Sequence, residues 1–173
     1  MKKLNWYLYR LIRRIIDKGI HVDWKNKGLK IGRGSWINYQ AILKSPENIT
    51  IGEHVHINEK CYLSASFGNI VIENNVTLSP YVKLVCSGYD LEKFYNKSVR
   101  EHFEGKTIYI ASNNWICMGA MILPGVHITG NHVVVAAGAV VTENITESYC
   151  LYAGVPAKLV KRYKSRGGEV ENG

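Results

Sequence analysis

Residues 110–128 read IASNNWICMGAMILPGVHI, and one spacing runs through them: Ile110, Ile116, Ile122 and Ile128 fall on every sixth position. Small residues stand four places after an isoleucine, Ala120 after Ile116 and Val126 after Ile122. Offsets of 0, 4 and 6 are all even, so on short extended segments these side chains share one face. The residues between them must turn the chain, and a glycine there tolerates backbone conformations that other residues avoid. A helix of 3.6 residues per turn cannot keep this pattern, and a plain two-residue alternation would not turn every six.

The spacing recurs upstream. Ile31, Ile37 and Leu43 carry Ser35 and Ala41 in the small slots; Ile51, Ile57 and Leu63 carry Val55 and Cys61; Ile72, Leu78 and Leu84 carry Val76 and Val82. Three such units close a triangular coil of about 18 residues, and each coil buries its apolar column against its neighbours. The expected fold is therefore an all-β solenoid, a parallel β-helix over residues 31–145. Ile31 to Ile51 runs two residues over a full coil and Ile51 to Ile72 three over, which implies small insertions at corners.

Between Leu84 and Ile110 the pattern lapses. Residues 86–109, CSGYDLEKFYNKSVREHFEGKTIY, read as a loop thrown out from the coil over about 86–107. Long excursions from a regular scaffold usually carry function. After Val140 the repeat ends in YAGVPAKLVKRYKSRGG, so residues 146–173 are expected to form a cap, a short basic helix after Pro156, and a tail.

The 173 residues are 46% hydrophobic, enough for one domain with its own core. Cys61, Cys86, Cys117 and Cys150 lack metal-type spacing and read as reduced thiols of a cytoplasmic protein. The net charge of +8 belongs to the ends: residues 1–30 carry nine Lys/Arg against two acids, while residues 31–157 carry eight against ten. Nucleic-acid binding would need a basic face interleaved with aromatics on the folded body, and the body has no such excess.

Residues 1–30 form a basic N-terminal helix and lead-in. Arg10, Arg13 and Arg14 interrupt the apolar run, and no small-residue cleavage site follows, so the run is not expected to act as a signal peptide. Leu4, Leu8, Leu11, Ile12, Ile15 and Ile16 recur at helical spacing. Such a stripe could plug the open end of the β-helix, or residues 2–18 could contact an anionic membrane surface at its cytoplasmic side. Nothing in the chain is long and apolar enough to span a bilayer.

The ordered set IASNNWICMGAMILPGV, AAGAVVTENI and YAGVPAKLVKR closely resembles the C-terminal signature of the hexapeptide-repeat acyltransferases. Within them it is most similar to the maltose and galactoside O-acetyltransferases and the colanic-acid-type polysaccharide acetyltransferases, over about Ile31 to Arg162. The resemblance implies a left-handed β-helix, a homotrimer, and acetyl-CoA as acyl donor held between subunits, with no metal required. The acceptor it implies is a sugar, an amino-sugar, or a polysaccharide or glycolipid precursor.

It also implies site residues. The family places a catalytic His where this chain has Tyr89, in Cys86-Ser87-Gly88-Tyr89-Asp90. A tyrosine with an ordinary pKa near 10 is ionised to only about one part in a thousand at neutral pH, so it makes a poor base but a good hydrogen-bond donor. Asn58 matches an active-centre Asn of the sugar acetyltransferases, while Ala65 stands where that motif has Asp. His102, inside the excursion, is a candidate substitute base. On the coenzyme side Met118 and Gly119 match positions facing the pantetheine arm, Ala137 and Thr142 match further contacts, and Lys158 and Lys161 match basic residues near the adenine–phosphate end. Glu143 occupies a position that is usually Lys, and the stretch from Ile128 to Val135 holds one residue more than the usual motif. Two further readings stay open: a protein that binds coenzyme A with impaired catalysis, and a structural β-helix scaffold. A zinc hydratase on a β-helix would need three converging histidines, which the spacings do not supply.

Overall fold

The computed structural model describes residues 2–89 and 103–164. A helix, α1 (Lys2–Asn26), leads into five triangular coils. The first holds β1 (Lys30–Ile31), β2 (Trp36–Ile37) and β3 (Ile42–Lys44); the second holds β4 (Ile49–Ile51), β5 (His56–Ile57) and β6 (Tyr62–Ser64). The third holds β7 (Ile70–Ile72), β8 (Thr77–Leu78) and β9 (Lys83–Val85). After a hairpin of β10 (Ser87–Tyr89) and β11 (Phe103–Gly105) come the fourth coil, β12 (Ile108–Ile110), β13 (Trp115–Ile116) and β14 (Met121–Ile122), and the fifth, β15 (His127–Ile128), β16 (Val133–Val135) and β17 (Val140–Val141). The architecture is a left-handed parallel β-helix with three flat faces.

Strands of successive coils pair in parallel, β1-β4-β7-β12-β15 on the first face and β3-β6-β9-β14-β17 on the third. The second face runs β2-β5-β8-β13-β16 and continues through β18 (Cys150–Ala153) and β19 (Lys158–Arg162). The register stacks the hexad residues directly: Ile31 on Ile51 on Ile72 on Ile110 on Ile128. On the second face Ile37, Ile57, Leu78, Ile116 and Val135 form one column, and on the third Leu43, Leu63, Leu84, Ile122 and Val141 form another. Nearly all are buried, and each fully buried Ile or Leu is worth about 1.5–3 kcal/mol over exposure. Val55, Cys61, Val76, Val82, Ala120 and Val126 fill the narrow corners between them. His54 and His56, on either side of buried Val55, point outward.

The corners follow a repeated backbone rule. At the turn from the first to the second face, Gly34, His54, Asn75, Asn113 and His132 each adopt positive φ. Buried Asn114 ties the corner backbone of the fourth coil to that of the fifth: its amide donates to Ala111 O (3.0 Å) and Gly130 O (2.8 Å), and its Oδ1 accepts from Val133 N (2.7 Å). The extra residues expected at corners lie at 45–48, a short 3-10 turn over Pro46–Asn48, and at 65–69.

Two elements differ from expectation. Residues 158–162 are not a helix but strand β19, antiparallel to β18 with Ala153 opposite Lys158 and Cys150 opposite Arg162. A five-residue helix would leave most of its backbone groups unpaired, whereas the open edge of β18 offers partners along its length. The strand also packs Leu159 on the core and lets Arg162 bond Glu147 through Nε (2.8 Å) and Nη2 (3.0 Å). At the other end, α1 does not plug the β-helix with its apolar stripe. Among the described residues of this segment Trp24 and Leu29 pack on the core, while Leu8, Leu11, Ile12, Ile15 and Ile16 are exposed.

Candidate functional site

The excursion leaves the third face through Cys86, whose amide donates to Ser64 O (2.9 Å) and whose thiol donates to Asn69 O (3.0 Å). It returns at Lys106, whose amide donates to Cys86 O (2.8 Å). The sequence reads as a plain loop here, yet its base is a two-stranded ladder, Ser87 opposite Gly105, Gly88 opposite Glu104 and Tyr89 opposite Phe103. Tyr89 thus stands on a strand held to the scaffold at the edge between the third and first faces. His102 lies outside the described residues.

The base of this hairpin is clamped by glycines. A β-carbon at Gly105 would lie 1.2 Å from Phe67 O, and one at Gly68 would lie 2.6 Å from Lys106 O. The insertion at 65–69 therefore has a role that hexad spacing does not show: it seats the hairpin. Burial pushes the Cys86 thiol up to about 11, so it is not a nucleophile at neutral pH.

Asn58 sits at a different edge, between the second and third faces. Its side-chain amide donates to Leu78 O (2.8 Å) in the next coil, so in this chain it serves as a corner tie. The same edge, two coils further, carries Met118 and Gly119, and above them Ala137 and Gly138. The stack is set by backbone bonds, Gly119 N to Pro80 O and Gly138 N to Met118 O, both 2.9 Å. Gly119 and Gly138 have φ of +69° and +68°, and a β-carbon on either would meet nothing within 4 Å. Two bare backbone turns thus line one edge, open to close approach by a ligand. Gly138 escapes a strict count from Gly119 because the fifth coil holds one extra residue between Ile128 and Val135.

Thr142 follows β17 at the hairpin's edge, exposed, near the start of the C-terminal segment. Ala157 N donates to Val140 O (2.8 Å), laying the segment before β19 over the third face. Lys158 then points back to Glu143, its Nζ 3.2 Å from both carboxylate oxygens. Lys161 lies over the Tyr163 ring, 5.4 Å from the centroid. The structure therefore brings Asn58, Met118, Gly119 and Ala137 to one edge of the prism and Tyr89 and Thr142 to the next, with the third face between. It does not bring Asn58 and Tyr89 to one edge of a single chain.

A polar group missed by sequence reading lies on the first face: Glu73 accepts from the Tyr109 hydroxyl, from Ser112 Oγ (2.8 Å) and from Ser112 N (3.0 Å). The Tyr109 bond, followed by those of Ser112, holds the Glu73 carboxyl below its usual range. Among the described residues no group of three His, Cys, Asp or Glu could hold a metal ion.

No protein-family model matches the chain. A candidate acetyltransferase of Schizosaccharomyces pombe is 37% identical over 119 residues, 68% of this chain and 55% of its own length. The galactoside O-acetyltransferase of Escherichia coli is 27% identical over 136 residues, 79% of this chain and 64% of its own. The chain thus spans a little over half the length of these relatives. Among solved structures, a hexapeptide-repeat acetyltransferase of Vibrio cholerae, complexed with acetyl-CoA, superposes with a TM-score of 0.75 at 24% identity, covering 86% of this chain and 79% of that one.

Proposed function

Because the chain belongs to the hexapeptide-repeat acyltransferase family, we propose that it transfers an acetyl group from acetyl-CoA to a sugar, or to the sugar portion of a polysaccharide or glycolipid precursor. The observation that carries this reading is the edge at Met118–Gly119 and Ala137–Gly138, where two left-handed glycine turns leave backbone open for an extended ligand such as the pantetheine arm. Thr142 and the basic residues Lys158 and Lys161 would meet the far end of that ligand, where phosphate favours cations.

The thioester is already activated, so the protein must position the acceptor and stabilise charge on the carbonyl oxygen. The acceptor's oxygen or nitrogen attacks the carbonyl carbon, the C–S bond breaks, and the departing sulfur takes up the proton that the acceptor loses. Tyr89, as a neutral phenol, suits hydrogen-bond donation to the oxyanion or the acceptor better than proton removal. A hydroxyl acceptor then needs another base, for which His102 is the candidate on the same excursion. A neutral amine is nucleophilic without one, which favours an amino-sugar.

Asn58 and Tyr89 lie at different edges of one prism, so a shared site requires the hairpin edge of one copy to meet the Asn58–Gly119–Gly138 edge of another. We place the site between subunits of a homotrimer, and a solution mass near three chains of 19.5 kDa is expected.

A second reading, coenzyme binding with weakened catalysis, draws on Tyr89 in the place of His. Titration calorimetry with acetyl-CoA tests both: no binding at about 1 mM would overturn them together. Coenzyme release with a panel of hydroxy- and amino-sugars then separates them. Unchanged turnover in Tyr89→Phe would remove the phenol from the mechanism, and a raised rate in Tyr89→His would favour the weakened-site reading.

A further inference from the structure

We infer that α1 seats this protein on an anionic lipid surface, apolar face down and β-helix held above. The helix leaves Leu8, Leu11, Ile12, Ile15 and Ile16 between 44% and 62% exposed, an apolar stripe that nothing in the chain covers among the described residues. Trp24, which packs on the first coil, is nine residues beyond Ile15. Nine residues are two and a half turns of an α-helix, so Trp24 and Ile15 occupy opposite faces. The side that joins the body is thus the side away from the stripe, and the stripe points outward.

The charges identify what it meets. Residues 2–18 hold Lys2, Lys3, Arg10, Arg13, Arg14 and Lys18 against the single acid Asp17. On a helical projection these fall outside the arc from Leu11 to Ile16, on its flanks and its far side. Two copies of such a helix packed stripe to stripe would bring like charges together, whereas anionic headgroups neutralise them. Tyr7 and Tyr9 project to the two borders of the stripe, where an aromatic ring with a polar tip sits at headgroup depth. No helix among the described residues is long and apolar enough to cross a membrane, so the contact is with the surface.

The test is sedimentation of the full chain with vesicles of phosphatidylcholine alone or with roughly a third phosphatidylglycerol. Binding is expected only with the anionic vesicles and should weaken as salt rises. Arg10→Gln/Arg14→Gln should lower partitioning by about twentyfold or more, about fivefold for each charge. Leu11→Glu/Ile15→Glu should abolish it, with circular dichroism showing the β-helix intact. Absence of wild-type binding, or binding that survives both double substitutions, would overturn the inference. So would a wild-type protein that ignores vesicles and an L11E/I15E protein of lower oligomeric mass, since the stripe would then cover a second copy.

Discussion

Gly105 and Phe67 are in backbone contact so close that no side chain fits between them: a β-carbon on Gly105 would stand 1.2 Å from the Phe67 carbonyl oxygen. This contact joins the hairpin of the third coil to the corner insertion of the second, and Tyr89 is positioned through it.

Gly105→Ala should therefore displace the hairpin while leaving the coils folded. A shift of about 1 Å at a reacting group can cost on the order of a hundredfold in rate, and a loss of that order in coenzyme release is expected. Gly88→Ala is the control on the paired strand, because its β-carbon would stand an ordinary 3.5 Å from Pro124 Cγ. That variant should stay within a few-fold of wild type. Equal losses in both would show that the Phe67 contact is not what matters.

Asn114 is buried and satisfies two carbonyls and one amide of the corner backbone. Asn114→Ala strands all three groups, and each unsatisfied buried group costs about 1–3 kcal/mol. We expect a loss of about 3 kcal/mol or more in denaturant unfolding. A loss below about 1 kcal/mol would mean that the corner repairs itself with other partners.

Cys61 and Cys86 are held as thiols by burial, which pushes both from an ordinary value of 9.0 up to about 11. Their folded-state values lie above their unfolded ones, so the folded state keeps its protons longer as pH rises. This contribution is whole below pH 9 and is lost between about 9 and 11. Unfolding free energy should fall across that window, and less steeply in Cys61→Ala/Cys86→Ala. Burial also raises Cys117 and Cys150, and a thiol-specific reagent at pH 7.5 should label the four cysteines only slowly until denaturant is added.

Lys158 is engaged by Glu143 at 3.2 Å, with both side chains well exposed. If Lys158 meets coenzyme phosphate, the acid competes for it. Glu143→Ala should tighten coenzyme binding by about three- to fivefold at low salt while leaving thermal stability unchanged, since exposed pairs are worth about 0–1 kcal/mol. Calorimetry should show the gain, and show it vanish in a Lys158→Ala background. A gain that persists there would detach Lys158 from the coenzyme.

Much of this molecule was legible one hexad at a time. Side chains at even spacings on short extended segments all point inward, so the hexad runs that begin at Ile31, Ile51, Ile72 and Ile110 were legible as successive turns around one core, and inter-coil pairing stacks those four residues in a column. The column at Val135 and Val141 was harder to see, because one added residue after Ile128 shifts the count while the corner absorbs it. The same local logic marked the excursion by its lapse of pattern, while the family resemblance drew attention to Tyr89.

The tertiary structure decided what depends on distant partners. Residues 158–162 have no strong preference of their own, and the free edge of β18 made them a strand. The insertion at 65–69 became a clamp because it lies against Gly105, almost forty residues away in sequence. Spacing made α1 amphipathic, but only its attachment through Trp24 determined that the apolar face looks outward. The sequence by itself determined the repeat, the core and the family resemblance, since each rests on short-range periodicity. Which edge carries Asn58, which carries Tyr89, and which way the helix faces are set by contacts between segments far apart in the chain, and these exist only once it has folded.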